Sequence, residues 1–76
     1  MARWAPCKRR IFIKKLSRLG FSPPEPGGHH FYVRYARHTL AIQNDAEYSV
    51  PQLKMLVKEV EHIIGKKISL EEWQDL

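Results

Sequence analysis

The stretch from Ser49 to Gly65 constrains the fold most. Val50, Leu53, Leu56, Val57, Val60, Ile63 and Ile64 recur at helical spacing there, and one apolar surface must cover them. Ser49 with Gln52 three residues later has the spacing of a capping box, and Pro51 is tolerated in a first turn. Gly65 marks the end. A chain of 76 residues has room for one modest core, so this helix must pack on whatever the rest of a single domain, 1–76, supplies. Residues 1–5 are expected to be flexible.

What the helix packs on is predicted by the remaining patterns. Between Pro6 and Leu19, the residues Phe12, Leu16 and Leu19 fall on one helical stripe flanked by Ile11 and Ile13, and Gly20 supplies a stop. Arg10, Lys14 and Arg18 are spaced by four and form an outward row. The segment 22–28 is rich in Pro and Gly and reads mainly as a loop, in which any strand must be short and lie at a sheet edge. His29 to Ala36 reads as a strand, Thr39 to Gln43 as its antiparallel partner, and Ala36-Arg37-His38 as the turn between them. Ser69 and Glu72 repeat the capping-box spacing before a last short turn with Leu70, Trp73 and Leu76 on one side. The order predicts an α+β domain, a short antiparallel sheet with helices on one face.

Charge is polarised along the chain. Residues 1–20 carry seven basic side chains and no acid, whereas residues 45–76 set four lysines against seven acids, within a net charge of +5. A phosphate-facing end and an acidic end that avoids nucleic acid would produce this pattern, as would a solvated helix face. A single cysteine, Cys7, excludes an internal disulfide and a cysteine-based zinc site within one chain, which fits a reducing cytoplasm. No run approaches the ~20 apolar residues of a membrane span, so a soluble protein with no membrane role is expected.

The segment Gly27-Gly28-His29-His30 is the main candidate for chemistry. Glycines permit unusual backbone angles and close approach of a large partner, and imidazole moves protons near neutral pH. A plain turn followed by two exposed histidines would read the same way. Strand alternation puts His29 with Phe31, Val33 and Tyr35, and puts His30 with Tyr32, Arg34 and Ala36. The less apolar set, His30, Tyr32 and Arg34, is then the exposed face, with an aromatic to stack on a base and an Arg for phosphate. His38 and His62 are isolated and receive no role. No carboxylate pattern accompanies the histidines, so neither a metal site nor a cofactor is expected. The acids Glu59, Glu61, Glu71, Glu72 and Asp75 read as solvated charge.

These residues resemble a known family. Arg9 to Phe21, with Leu16, Leu19, Gly20 and Phe21 as landmarks, resembles the first helix and following Gly-Phe of the HicA toxins (YcfA-like mRNA interferases of type II toxin-antitoxin systems). Gly28-His29-His30-Phe31-Tyr32 is similar to the family's Gly-Ser-His segment, with Gly28 in place of Ser. Leu53 to Lys58 is similar to its second helix and Ser69 to Trp73 to its short tail helix, so the likeness runs in order over residues 9–76. The resemblance implies a double-stranded-RNA-binding-domain-like α-β-β-β-α fold with a short C-terminal helix. It implies metal-independent endonuclease action on mRNA, and neutralisation by a HicB-type antitoxin over the active face. It assigns the catalytic position to His29. Together with the residue pattern, this places Gly28, His30, Tyr32 and Arg34 near RNA and makes Arg10, Lys14 and Arg18 candidate phosphate contacts. In three places the chain departs from the family. Ala41-Ile42-Gln43-Asn44 stands where many members carry Pro-x-His, Gly28 replaces a hydroxyl, and Pro23, Pro24 and Pro26 occupy the first strand, which is expected to be weak. A non-catalytic RNA-binding module of the same fold is the alternative, and a protein-interaction module with a basic helix is a third.

Overall fold

The computed structural model describes residues 3–76. The elements run β1 (Cys7–Lys8), α1 (Arg9–Leu19), β2 (Glu25–Gly27), β3 (His30–Tyr35), β4 (His38–Ile42), β5 (Glu47–Tyr48), α2 (Val50–Ile64) and α3 (Leu70–Asp75). Strands β2, β3 and β4 form an antiparallel sheet in that order, and β1 pairs with β5 in a separate two-stranded ladder. Among the described residues, no helix is long and apolar enough to cross a membrane.

Helix α2 is built as its sequence dictates. The Ser49 side chain accepts from the Gln52 N–H, Gln52 accepts from the Ser49 N–H, and Gly65 closes the end at φ 73°. Leu53, Leu56, Val57 and Val60 are buried, while Val50, Ile63 and Ile64 are half-buried at the margin. Helix α1 begins at Arg9 rather than Pro6, because the Cys7–Lys8 backbone is taken up by the ladder with Glu47–Tyr48. At its other end the Gly20 N–H bonds the Ser17 carbonyl and the Phe21 N–H bonds the Leu16 carbonyl. That is a Schellman motif, which folds Phe21 back into the core against Tyr35, ring centroids 5.2 Å apart.

Alternation sorts the sheet into two faces. Val33, Leu40 and Ile42 are buried with Phe12, Leu16, Leu53 and Val60, so both long helices cover this face. His30, Arg34, Thr39 and Ala41 are exposed on the other, with Tyr32 half-buried among them. Strand β2 is three residues long, short and at the edge as expected of a proline-rich segment. Its one proline is placed where it does no harm. Gly27 and His30 flank the two-residue turn and form a hydrogen-bonded pair, so Pro26, opposite Phe31, directs its ring nitrogen away from the ladder. Beyond β2, Ser22 takes over: its N–H bonds the Arg34 carbonyl at 2.8 Å and its Oγ accepts from the Arg34 N–H at 2.9 Å. On the far side β4 has an open edge among the described residues.

The third helix docks through Trp73, which is buried against Phe12 at 5.5 Å between centroids. Trp4, within the leader expected to be flexible, packs on Trp73 at 6.5 Å, and Met1 and Ala2 lie outside the described residues. Lys15 reaches across the domain to donate to the Trp73 and Leu76 carbonyls at 2.7 and 3.3 Å, a cation at a helix C-terminus. Glu61, expected to be solvated, is half-buried and accepts from the Ile68 N–H at 2.6 Å.

Candidate nucleic-acid interface

The sheet end that carries the β2–β3 turn gathers most of the singled-out residues. Gly28 and His29 are the two turn residues between paired Gly27 and His30. Gly28 has φ 67° and His29 does not have positive φ, the sign pattern of a type II′ turn with glycine in its first central position. His29 therefore sits in the turn and not in the strand read from 29 to 36, which runs from His30 to Tyr35. The face assigned to His29 by alternation does not apply, because the left-handed Gly28 breaks the extended backbone just before it. Its ring is exposed, as is that of His30, and neither has a hydrogen-bond partner among the described residues.

His30, Tyr32 and Arg34 share the solvent face, as alternation predicted, but two of them are engaged. The Tyr32 ring lies across Gly27, where an added Cβ would overlap its Cε2 and Cδ2 atoms. Glycine is needed at 27 for space and at 28 for backbone angle. Arg34 is paired with Glu25 at 3.3 Å, both side chains more than half exposed. An exposed pair of this kind is weak and exchangeable.

The row Arg10, Lys14 and Arg18 is exposed on α1, opposite the buried Phe12 and Leu16. The row thus faces away from the sheet, on the side opposite His30, Tyr32 and Arg34. The two groups approach only where α1 begins. The α1 start lies by Phe31, two residues from His29, and its end lies by Tyr35, near the β3–β4 turn. Lys14 and Arg18 are ~6 and ~12 Å further along the axis than Arg10, at 1.5 Å per residue. Arg10 belongs to the His29 end, and Arg18 does not.

Arg9 escaped the sequence reading. Its guanidinium lies 4.4 Å from the Phe31 ring centroid, and its Nε is buried with no hydrogen-bond partner. With Lys8, Arg10, Asn44, Asp45 and Ala46 it lines an open cavity of about 330 Å³. The placement depends on the β1–β5 ladder and on the bond from the Arg9 N–H to the Ala46 carbonyl at 3.0 Å. Nothing in the sequence around Arg9 announces that contact. Next to it Tyr48 is buried and donates to the Gln43 carbonyl at 2.5 Å. Burial pushes the Tyr48 hydroxyl pKa up, opposed by the Arg9 guanidinium through its charge and a hydrogen bond to the hydroxyl. Gln43 and Asn44 follow β4 at this same end, and Gln43 Oε1 accepts from Gln52 Nε2 at 3.1 Å.

Two further groups are spoken for by the fold. Lys15 is committed to the end of α3. Burial raises the Cys7 thiol pKa, with Lys15 opposing, so the thiol stays protonated and inert at neutral pH. Among the described residues, no three His, Cys, Asp or Glu side chains come together as a ligand set for a metal ion. No protein-family model matches this chain, and neither the curated proteins nor the solved structures contain a match to it.

Proposed function

We propose that this domain is a HicA-like toxin, a metal-independent endoribonuclease that cuts mRNA in the cytoplasm and is neutralised by a HicB-type antitoxin. The fold on this reading is a double-stranded-RNA-binding-domain-like α-β-β-β-α arrangement, to which β1, β5 and α3 are additions. The observation that carries the reading is His29 itself. The histidine that matches the family's catalytic position stands exposed in the Gly28-His29 turn, at the end of the sheet where the basic helix starts.

The chemistry follows from an exposed imidazole beside a phosphodiester. His29 takes the proton from a ribose 2′-hydroxyl, the freed oxygen attacks the adjacent phosphorus, and the 5′-oxygen leaves with a proton from water. A 2′,3′-cyclic phosphate and a 5′-hydroxyl result. Arginine or lysine near the phosphate, Arg10 foremost by position, stabilises charge on its oxygens. Gly28 lets the RNA backbone approach closely, and His30, Tyr32 and Arg34 meet it on the sheet face once Arg34 exchanges Glu25 for phosphate. Lys14 and Arg18 contact RNA only if it runs on along the helix. The HicB-type partner covers this end.

A specific feature favours a second reading, a non-catalytic RNA-binding module. General bases are usually oriented by a third group, and His29 has no hydrogen-bond partner, while Gln43 and Asn44 stand in for the second histidine. One comparison separates the two. Purified wild type and His29→Ala are incubated with RNA in EDTA: the first reading expects cleavage by the wild type and an intact substrate with the variant. Equal cleavage by both removes His29 from the chemistry. Salt-sensitive binding without cleavage by either supports the binding module.

A further inference from the structure

We infer that Arg9 anchors a backbone phosphate of bound RNA, with Lys8, Arg10 and Asn44 around it, in a second contact site on the helix side of the sheet. The inference rests on the RNA-facing reading above and adds to it a residue that the family likeness does not assign.

The fates of the basic side chains set Arg9 apart. Arg34 is paired with Glu25, Lys66 with Glu72, and Lys15 with the carbonyls that end α3. Arg9 is half-buried, yet no carboxylate lies within ion-pair distance of it among the described residues, and its buried Nε–H has no acceptor. The Tyr48 hydroxyl is a side-chain acceptor beside the guanidinium, but a buried N–H left without a partner is costly, so native structures tolerate few of them. Propping up Phe31 does not require that cost, since an apolar side chain packs on a ring as well.

What the arrangement does provide is a prepared anion contact. The cation–π contact with Phe31 and the partial burial restrain the side chain, so less of its freedom is lost when its N–H groups meet a phosphate. The cavity lined by Arg9 holds two more cations, Lys8 and Arg10, and an amide, Asn44. One carboxylate also lines it, Asp45, which accepts from Gln52 Nε2 at 3.2 Å and leaves the cations in excess, three to one. The claim stands on a held guanidinium whose Nε–H lacks an acceptor and which no carboxylate neutralises, and on the cations beside it, not on the start of the helix as such. Its position suits a strand already engaged at His29. Phe31 is two residues on in the chain, within about 7 Å of extended backbone.

The test measures binding apart from catalysis. A short labelled single-stranded RNA is titrated by fluorescence anisotropy against the full chain carrying His29→Ala, over a range of salt concentrations. Adding Arg9→Gln is expected to weaken binding about tenfold, the size of a charge-assisted hydrogen bond. It should also flatten the slope of log K against log salt by about 0.7, the value for one phosphate contact on a single strand. Arg9→Lys should restore the slope and only part of the affinity, because lysine keeps the charge and loses the planar fork. An unchanged slope with Arg9→Gln overturns the inference while leaving the RNA reading intact. If Arg9→Gln lowers thermal stability, Lys8→Gln alone leaves the Phe31 contact in place and spares the residues assigned to the His29 phosphate, and an unchanged slope there overturns the inference equally. Failure of the His29→Ala parent to bind RNA at low salt would instead overturn the RNA reading itself.

Discussion

The two hairpin turns of the sheet are built to one plan and filled differently. Each has two residues, Gly28-His29 between β2 and β3 and Ala36-Arg37 between β3 and β4, and each requires positive φ at its first position only. The first has glycine there, at φ 67°, and pays nothing; the second has Ala36 at φ 52°. A non-glycine residue in the left-handed region costs ~1–2 kcal/mol. The strained turn displays Arg37 and carries none of the candidate chemistry, whereas the relaxed one displays His29. Strain here marks a connection the fold tolerates. The proposed chemistry falls at the turn whose backbone is at ease.

The largest expected effect is on rate. His29→Ala should lower RNA cleavage by ~10²–10⁴-fold, the usual reach of general-base help, and leave the melting temperature unchanged because the residue is exposed and its ring makes no hydrogen bond among the described residues. The control in the other turn, Arg37→Ala, should cleave at the wild-type rate. An equal loss from both would mean that the two turns are not different in kind. Next in size come the glycines. Gly27→Ala must push the Tyr32 ring aside and Gly28→Ala must hold a Cβ at positive φ, and each should destabilise by ~1–2 kcal/mol in urea titrations. The two have distinct signatures, because only Gly27→Ala should alter the Tyr32 fluorescence or its NMR ring signals. The smallest effect runs the other way. Ala36→Gly should relieve strain and lose some of the gain to a more flexible unfolded chain, for a net stabilisation below ~1 kcal/mol. No gain at all would show that the second turn is as relaxed as the first.

Legibility followed the range of the interactions. Helix α2, its capping box and its stop at Gly65 are encoded within a few residues of where they act, and they stand as read. So do the capping box of α3, the docking of Trp73 and the two faces of β3. The errors fall where a remote partner or a local twist overrides the pattern. The start of α1 moved from Pro6 to Arg9 because Cys7 and Lys8 pair with residues some 40 positions away, and a two-residue strand carries no periodic signal. His38 joined β4 because the turn closes in two residues, not three. His29 left the strand because Gly28 turns the chain one residue before alternation begins. Of the site, the exposure of His30 was readable from parity. The engagement of Arg34 with Glu25, the separation of Arg18 from His29 and the stacking of Arg9 on Phe31 all depend on tertiary placement that spacing does not carry.

The bridge from Lys15 to the end of α3 bears on how the domain opens. A helix of six residues has no standing of its own in water, so α3 persists only while something holds it. Lys15 lies in the middle of α1, one residue before the fully buried Leu16, and its ammonium grips carbonyls 58 and 61 positions along the chain. The last helix therefore cannot fray independently of the first. Amide protons in α3 should exchange with deuterium at rates set by the opening of the α1 core, so that the chain's last turn and its first helix melt as one cooperative unit.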